Sequence, residues 1–432
     1  MSRKRFVLPV ESFDREFDAK LLLSLHLLSN NHIPSEVIVG FDKAITQILS
    51  FLPGSSVLLD KSCSDIMYNH RFKPVLRQGG SVCVCDEEGV NNISNNFDGL
   101  ITRFDPSAVK NLSHYYTWGD LDTKLATSAN IAESKIKVTG NPRLDLLKSE
   151  GKAFYSSLSS GLRATFGEFY LFNENFCIET YFHNYQPPTR SYLSKDEMQI
   201  LNNTRERKRK AAAQERDSFV KLFDHLINKN KEKYFIVRPH PMSDPTFWYL
   251  KFGKKRNVSV IYRDSAEPWL FACKALISCG CTTALQAALA RVPVYHFSDS
   301  SDSYSNSLAA NVGQKLINTS AFSENSACSD IDFDYASSIM QFKHSSCNLI
   351  SKNMHSLASN LSLSDITTHE YLVKHRALIT AQPFEPKWRE YDLSLAFIHA
   401  KIRSLVSCFN LSISSLKVSK VSSGVFCLSN AN

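Results

Sequence analysis

Long hydrophobic runs are absent from this 432-residue sequence. No stretch of 18 apolar residues occurs in it, so no segment has the length of a membrane-spanning helix. The first ten residues are basic but contain only a very short apolar run before Glu11, which does not match a secretory signal peptide. From these two absences we expect a soluble, cytoplasmic protein.

The sequence also lacks a large excess of charge and any cysteine framework. Fifty Lys and Arg residues against 42 Asp and Glu give a net charge of +8, which permits contact with phosphates or anionic lipid but does not require nucleic acid. The 11 cysteines lack disulfide-type spacing, and the pairs Cys83/Cys85 and Cys279/Cys281 lie in apolar runs without the usual spacing of a zinc site. We therefore expect reduced, buried thiols and no metal site.

The chain does contain a regular alternation of short β-branched runs with helical patterns. Its 43% hydrophobic content supplies more than one core over this length. Strand–helix alternation predicts parallel strands, so the expected fold class is α/β, with two doubly wound, Rossmann-like domains facing across a cleft. The strands are predicted at 5–10, 37–40, 56–59, 81–85, 99–101 and 135–138, and again at 169–172, 234–237, 258–262, 275–278 and 293–297.

The expected division places an N-terminal domain at 1–150 and a C-terminal domain at 151–310, with an insertion at about 183–213. Residues 311–410 are predicted to be a helical C-terminal segment, and the Ser- and Lys-rich residues 411–432 a disordered tail. The basic run 205–210 in the insertion is interpreted as a solvated helix face. Contact with anionic lipid at a membrane surface is the alternative.

Polar residues follow a predicted strand of the C-terminal domain in the sequence Arg-Pro-His-Pro. Arg238 and His240 suit an anionic oxygen cluster such as a phosphate. Pro239 and Pro241 exclude a helix there and stiffen the loop. The alternative is that His240 is an ordinary loop histidine with satisfied hydrogen bonds.

A second polar turn, Ser-Cys-Gly-Cys-Thr-Thr, joins the strand at 275–278 to a helix. Gly280 permits close backbone approach, and Thr282 and Thr283 add hydroxyls near the amides at the helix start. This pattern predicts a phosphate cradle, unless Thr282 merely caps the helix.

Three consecutive carboxylates, Asp86, Glu87 and Glu88, directly follow the strand at 81–85 and precede Gly89. Mutual repulsion is expected to raise the pKa of at least one of them, which favours proton abstraction. The alternative is an acidic N-cap on the next helix.

Two further segments offer residues to the same cleft. In Glu-Ser-Phe-Asp-Arg-Glu-Phe-Asp the candidates are Arg15, Glu16 and Asp18, although Asp14 or Asp18 could equally be a helix cap. In Thr-Gly-Asn-Pro-Arg the candidates are Asn141 and Arg143, with a domain hinge as the equal alternative.

Taken together, these motifs resemble the bacterial surface carbohydrate biosynthesis proteins. The motifs are LPVESFDREFDAKLLL, LLDKS, VCDEEG, VTGNPRLDLL, VRPHP and SCGCTTALQAAL, and they span about residues 5–300. The resemblance implies a GT-B glycosyltransferase. The pairing of an acidic-acidic-Gly motif with a His-Pro motif is also similar to bacterial sialyltransferases and polysialyltransferases.

This resemblance implies specific roles. Glu87, or its neighbours Asp86 and Glu88, would be the base that activates the acceptor, and His240 would contact CMP. Thr282 and Thr283 would hold the phosphate, and Gln286 would lie where related proteins bind the ribose.

The function implied is transfer of an acidic, Kdo- or sialic-acid-like sugar from a CMP-activated donor to a glycan acceptor, which could be lipid-linked, in lipopolysaccharide O-antigen or capsule synthesis. No cofactor is required, and a peripheral position at the inner face of the cytoplasmic membrane is compatible with this role. The alternatives are a polyol-phosphate transferase, a UDP-sugar 2-epimerase, or a non-catalytic nucleotide-sugar-binding subunit.

Overall fold

The computed structural model divides into two compact units. It describes residues 3–29, 34–89, 103–176, 192–240, 243–261, 263–297, 308–316, 330–361, 367–381, 391 and 393–430. The N-terminal unit comprises the described parts of Met1–Asn92, Gly99–Phe154 and Met340–Asn432, and the C-terminal unit those of Tyr155–Ile339.

The N-terminal unit is built on an eight-stranded sheet. Its strands are β1 Lys4–Val10, β2 Ser35–Phe41, β3 Val57–Asp60, β4 Ser81–Cys85, β5 His114–Thr117, β6 Ile136–Val138, β13 Leu416–Ser422 and β14 Val425–Asn430. The strand order is β13-β14-β2-β1-β3-β4-β5-β6. The pairs from β2 to β6 are parallel, whereas β14 runs antiparallel to both β2 and β13.

Helices cover the sheet of the N-terminal unit. They are α1 Asp18–Ser29, α2 Asp42–Phe51, α3 Asp65–Met67, α4 Lys73–Arg77, α5 Pro106–Asn111, α6 Asp120–Ser128, α7 Pro142–Asp145, α8 Ser149–Phe154, α15 Ser346–Ala358, α16 Thr368–Lys374 and α17 Leu395–Cys408. Short π-helical turns at Phe13–Phe17 and Tyr68–Phe72 lead into α1 and α4, and a 3₁₀ turn at Glu133–Lys135 precedes β6. A second 3₁₀ turn lies at Arg376–Leu378.

The C-terminal unit carries a six-stranded parallel sheet. Its strands are β7 Phe169–Asn173, β8 Tyr234–Arg238, β9 Val258–Val260, β10 Ala275–Ser278, β11 Val294–Phe297 and β12 Gln314–Leu316, in the order β12-β11-β10-β7-β8-β9. Its helices are α9 Ser156–Phe166, α10 Lys195–Lys229, α11 Thr246–Phe252, α12 Ala266–Ala272, α13 Thr283–Leu289 and α14 Asp330–Ile339, with a 3₁₀ turn at Leu308–Asn311.

The apolar runs of the sequence form these strands because parallel strands covered by helices on both faces are buried on both sides. All seven residues of β1 and all five of β7 are buried. In the C-terminal unit an aromatic cluster fills one side of the sheet, where Phe172 stacks on Phe219 at 4.3 Å between ring centroids. The α/β fold class is therefore confirmed, and the predicted strand at 99–101 lies outside the described residues.

The tail prediction is wrong. Residues 416–430 form the β13–β14 hairpin, and β14 covers the edge of β2 with Val425, Phe426 and Leu428 completely buried. The sequence contains Leu416, Val418 and Val421 spaced among polar residues, followed by the apolar run 425–428, and the high Ser and Lys content concealed this strand pattern.

The C-terminal segment also divides differently from the expected 311–410. Residues from Met340 onward cluster with the N-terminal unit, where α15 packs on α1. Asp145 explains part of this attachment, because its carboxylate accepts hydrogen bonds from the amides of Ser346 and Cys347 at the start of α15. Within the described residues, no helix combines the length and apolar character needed to cross a membrane.

Candidate functional site

The strand order of the N-terminal unit creates a switch point beside β1. The chain passes from β1 to β2 on one side and then to β3 on the other, and ligands of open α/β sheets bind outside the carboxyl ends of strands at such a point. Glu11 follows β1 and Lys61 follows β3, and their side chains form an ion pair there. Arg15 approaches the same Glu11 carboxylate at 3.4 Å.

The acidic triplet lies at the end of β4, and each carboxylate is paired with a different set of cations. The ion pairs are Asp86 with Arg103, Glu87 with Lys20 and Arg143, and Glu88 with Arg15 and Arg103. Arg103 therefore contacts both Asp86 and Glu88, whereas Glu87 is paired with two other cations. For Glu87 and Glu88 these cations outweigh the repulsion that the sequence argument assumed, and for Asp86 repulsion by Glu88 remains a minor contribution to the pKa.

Glu87 has the most enclosed of these positions. Its Oε1 lies 3.2 Å from Lys20 Nζ, its Oε2 lies 3.3 Å from Arg143 Nε, and Asn141 Nδ2 donates to Oε2 at 3.2 Å. Burial alone would raise the pKa of Glu87, but the coulombic attraction of Lys20 and Arg143 brings it below its usual value. Asn141 and Arg143, both named in the sequence analysis, therefore contact Glu87.

Glu88 is the accessible member of the triplet, with 43% of its side chain exposed. Partial burial would raise the pKa of Glu88, but the positive charges of Arg103 and Arg15 lower it to about 2. Burial raises the pKa of Asp86 despite its Arg103 partner. The pKa of one of the three carboxylates, Asp86, is therefore raised as expected, but its largest cause is burial and repulsion by Glu88 contributes less.

The sequence argument did not single out Trp118, which binds the backbone of the acidic turn, or Asp122, which binds Trp118. The indole Nε1 of Trp118 donates to the carbonyl of Asp86 at 2.6 Å, and the backbone N–H of Trp118 donates to Asp122 at 2.9 Å. A Cβ on Gly89 would come within 2.9 Å of the Trp118 ring, so this turn needs glycine for close approach. Burial raises the pKa of Asp122 to about 7.

The first loop contributes unequally to the site. Glu16 is buried and pairs with Arg15 at 2.7 Å, while its other oxygen accepts from the amide of Glu11 at 2.9 Å. Asp18 instead pairs with Lys401 of α17 at 2.7 Å. Arg15 and Glu16 therefore lie in the charged cluster with Glu11 and Glu88, whereas the described contact of Asp18 is with the C-terminal helix.

The C-terminal unit has its switch point between β7 and β10. Its strands follow the order of a dinucleotide-binding sheet, in which the first strand lies between the second and the fourth. The loops after β7, β8 and β10 therefore meet at one edge. Asn175, after β7, donates its side-chain amide to the carbonyl of Cys279, after β10, at 3.4 Å.

Glu174 organises this edge, and the sequence argument missed it. It is 2% exposed, and its Oε2 accepts from the backbone N–H of His240 at 2.7 Å and from Ser243 Oγ at 2.6 Å. Burial raises the pKa of Glu174, partly offset by these hydrogen bonds. A single acidic residue after a strand gives no sequence signal by itself, because only the sheet order places it against the His240 loop.

Arg238 and His240 have different surroundings. The guanidinium of Arg238 donates to the carbonyls of Arg263, at 3.1 Å, and Asp264, and lies 5.5 Å from the Trp269 ring centroid. His240 is half-buried in the loop that Glu174 holds. Pro241 lies outside the described residues.

The Cys-Gly-Cys-Thr-Thr turn contains a backbone conformation that favours glycine. Gly280 has φ +79°, a left-handed conformation that favours glycine. The Thr282 side chain makes no capping hydrogen bond, so capping does not account for that residue. Thr283 is 8% and Gln286 7% exposed, and both therefore present little of their side chains to solvent.

Neither unit shows a ready metal site in its described part. No group of three or more His, Cys, Asp and Glu side chains there is arranged to hold a metal ion.

Comparison with known proteins identifies the fold. No protein-family model and no curated protein matches the sequence. Among solved structures, the S. aureus MnaA–UDP co-structure matches with a TM-score of 0.52 and 12% identity, covering 85% of this chain and 100% of that chain. A variant of the wall teichoic acid polymerase TagF with CDPG matches with a TM-score of 0.51 and 10% identity, covering 82% of this chain and 88% of that chain. These neighbours have the GT-B fold, which confirms that prediction for this chain.

Proposed function

We propose that this protein is a nucleotide-sugar-dependent glycosyltransferase of surface polysaccharide synthesis. The observation that carries the proposal is the edge of the C-terminal sheet. There the Glu174-held His240 loop and the left-handed Gly280 turn lie on either side of the switch point between β7 and β10. Nucleotides bind at this position in sheets of this strand order.

We further propose that the donor is a CMP-activated acidic sugar of the Kdo or sialic acid kind. The support is the sequence resemblance of the acidic triplet and the His-Pro motif to sialyltransferases. Two structural neighbours were solved with pyrimidine nucleotides, MnaA with UDP and TagF with CDPG. The acceptor in this proposal is a glycan of lipopolysaccharide O-antigen or capsule, free or lipid-linked.

We propose that the general base of the transfer reaction lies in the acidic triplet of the N-terminal unit. We assign it to Glu88 rather than Glu87, because a base must reach the hydroxyl that it deprotonates. Glu88 is 43% exposed, whereas Glu87 is 3% exposed and surrounded by Lys20 and Arg143. The low pKa of Glu88 depends on Arg15 and Arg103, so an acceptor that draws these cations away would raise its basicity.

Thermal unfolding with CMP, CDP, UDP and GDP tests the donor, because a ligand of the folded state raises apparent stability by mass action. CMP should stabilise the protein most, and His240→Ala should remove that stabilisation. If UDP or GDP stabilises the protein and CMP does not, the CMP assignment is wrong.

A polyol-phosphate transferase is the second candidate, favoured by the fold match to TagF with CDPG. Stabilisation by CDP in preference to CMP would support it. Product analysis without an acceptor separates both transferases from a UDP-sugar 2-epimerase, since an epimerase converts a free nucleotide sugar alone. Nucleotide binding without turnover under any condition would leave a non-catalytic binding subunit.

A further inference from the structure

The helix α11 in the C-terminal unit exposes two large apolar side chains side by side. Leu250 is 80% and Tyr249 46% exposed, while Trp248 and Phe252 on the same helix are buried in the aromatic core. Successive α-helical residues are rotated by about 100°, so Leu250 lies nearly opposite Trp248. The outward position of Leu250 is therefore set by the anchoring of the two inward aromatics.

Basic residues follow these apolar side chains. The segment 245–263 contains no Asp or Glu and five cations, namely Lys251, Lys254, Lys255, Arg256 and Arg263. Lys251, Lys254 and Arg256 are exposed. The acidic residues recorded nearby are Asp244 at the start of α11, Asp224 of α10, which pairs with Lys255 at 2.8 Å, and Asp264, which pairs with Arg263 at 3.7 Å.

We propose that the patch formed by Tyr249, Leu250, Lys251, Lys254 and Arg256 binds the surface of an anionic lipid bilayer. Leu250 would enter the boundary between headgroups and acyl chains, Tyr249 would lie at the headgroup level, and the three cations would contact lipid phosphates. This patch is distinct from the basic run 205–210 of α10. The exposed large apolar residue of α10 is Ile200, at 48% against 80% for Leu250, and Glu206 within the run pairs with Arg209 at 2.9 Å.

Charge and apolar exposure together select a bilayer over other occupants. A second copy of the chain related by a two-fold axis would bring the same cations against one another. A soluble polyanion would satisfy the cations but would not bury Leu250. An anionic bilayer satisfies both, because attraction to lipid phosphates and burial of apolar area act at the same surface.

The full-length chain without nucleotide tests the proposal by co-sedimentation with phosphatidylcholine vesicles, with and without about one third phosphatidylglycerol. We expect binding only to the anionic vesicles, weakened by salt because exposed charges are screened. Replacing Lys251, Lys254 and Arg256 by Gln should weaken binding at least tenfold, since each cation near such a surface contributes roughly fivefold.

Two matched controls distinguish the patch from general effects. Replacing Arg207, Lys208 and Lys210 by Gln removes the same charge from α10 and should leave vesicle binding unchanged. Leu250→Ser should weaken binding by roughly tenfold, whereas Leu158→Ser, at a position 56% exposed in the same unit, should not.

The proposal is overturned if anionic vesicles are not bound, or if the α10 variant loses binding and the patch variant keeps it. It is also overturned if Leu250→Ser binds like the wild type while the charge variant does not, because binding then depends on charge alone and Leu250 does not enter the bilayer. The proposed glycosyltransferase function is measured separately by the nucleotide thermal shift, so either proposal can fail without the other.

Discussion

Lys20 Nζ lies 3.2 Å from Glu87 Oε1, and the two side chains are only 1% and 3% exposed. The pair connects the first turns of α1 to the end of β4. Burial alone would lower the pKa of Lys20, but Glu87 raises it above its usual value. Glu87 therefore neutralises a buried ammonium, a structural role that any test of its catalytic role must take into account.

Glu87→Gln should destabilise the protein by about 3 kcal/mol near neutral pH, because it leaves the buried Lys20 without a counter-ion. Urea unfolding of the wild type and the variant measures this difference. The lowered pKa of Glu87 means that its contribution to stability is complete above the ordinary carboxyl pKa and is lost as the pH falls through the lowered folded-state pKa. The deficit of the variant should accordingly shrink in acid.

Glu88→Gln is the matched control, with the same chemical change one residue away at an exposed position. It should destabilise the protein less than Glu87→Gln does, because solvent screens the ion pairs of Glu88 with Arg15 and Arg103. It should also lower turnover by roughly 10²–10⁴-fold with nucleotide affinity unchanged, the range for a positioned general base. A stable Glu87→Gln protein that has lost turnover, beside an active Glu88→Gln protein, would return the base to Glu87.

Asp122→Asn should stabilise the protein at pH 8 and have little effect at pH 4. The pKa of Asp122 is raised to about 7 by burial, so the folded state binds a proton that the unfolded state releases above the ordinary carboxyl pKa. Wild-type stability from this residue therefore falls as the pH rises towards 7. We expect a gain of roughly 2 kcal/mol at pH 8.

Urea unfolding at several pH values checks the Asp122 prediction, and the asparagine oxygen can still accept the Trp118 amide hydrogen bond. Equal unfolding free energies for both proteins at pH 8 would show that Asp122 is not the source of the pH dependence.

Glu174→Ala should weaken nucleotide binding about tenfold by isothermal titration calorimetry. The substitution leaves the amide of His240 and the hydroxyl of Ser243 without their acceptor. The His240 loop would then have to become ordered when the nucleotide binds, and this ordering lowers the affinity. Glu168→Gln, at the opposite end of β7, is the control and should bind like the wild type. Unchanged affinity in Glu174→Ala would show that the His240 loop is not part of the nucleotide site.

Gly40→Ala should destabilise the N-terminal unit by about 2–3 kcal/mol, because a Cβ there would meet the Gly424 carbonyl at 2.0 Å and disrupt the junction of β2 with β14. Gly79→Ala is the control, since its φ of +72° is also positive while nothing lies within 4 Å of its added Cβ. Thermal unfolding measures both. Equal losses in the two variants would mean that the hairpin contact contributes nothing beyond backbone strain.

Local sequence was sufficient for some features and insufficient for others. The apolar runs of β1, β7 and β10 predicted buried parallel strands. Glu174 gave no such signal, because its partners His240 and Ser243 lie 66 and 69 residues away in sequence. The β13–β14 hairpin was missed because composition outweighed its strand pattern.

The acidic triplet shows which properties of the site the sequence predicts and which it does not. The sequence by itself determined that three carboxylates follow a buried strand and that Gly89 permits their turn, since strand patterns and glycine conformations are local properties. Only the tertiary structure decided that Lys20, Arg103 and Arg143 pair with these carboxylates, and hence that Glu87 is enclosed and Glu88 accessible. Pairing, burial and pKa depend on which distant segments the fold brings within a few ångströms, and charge repulsion along the chain is a weaker influence than those contacts.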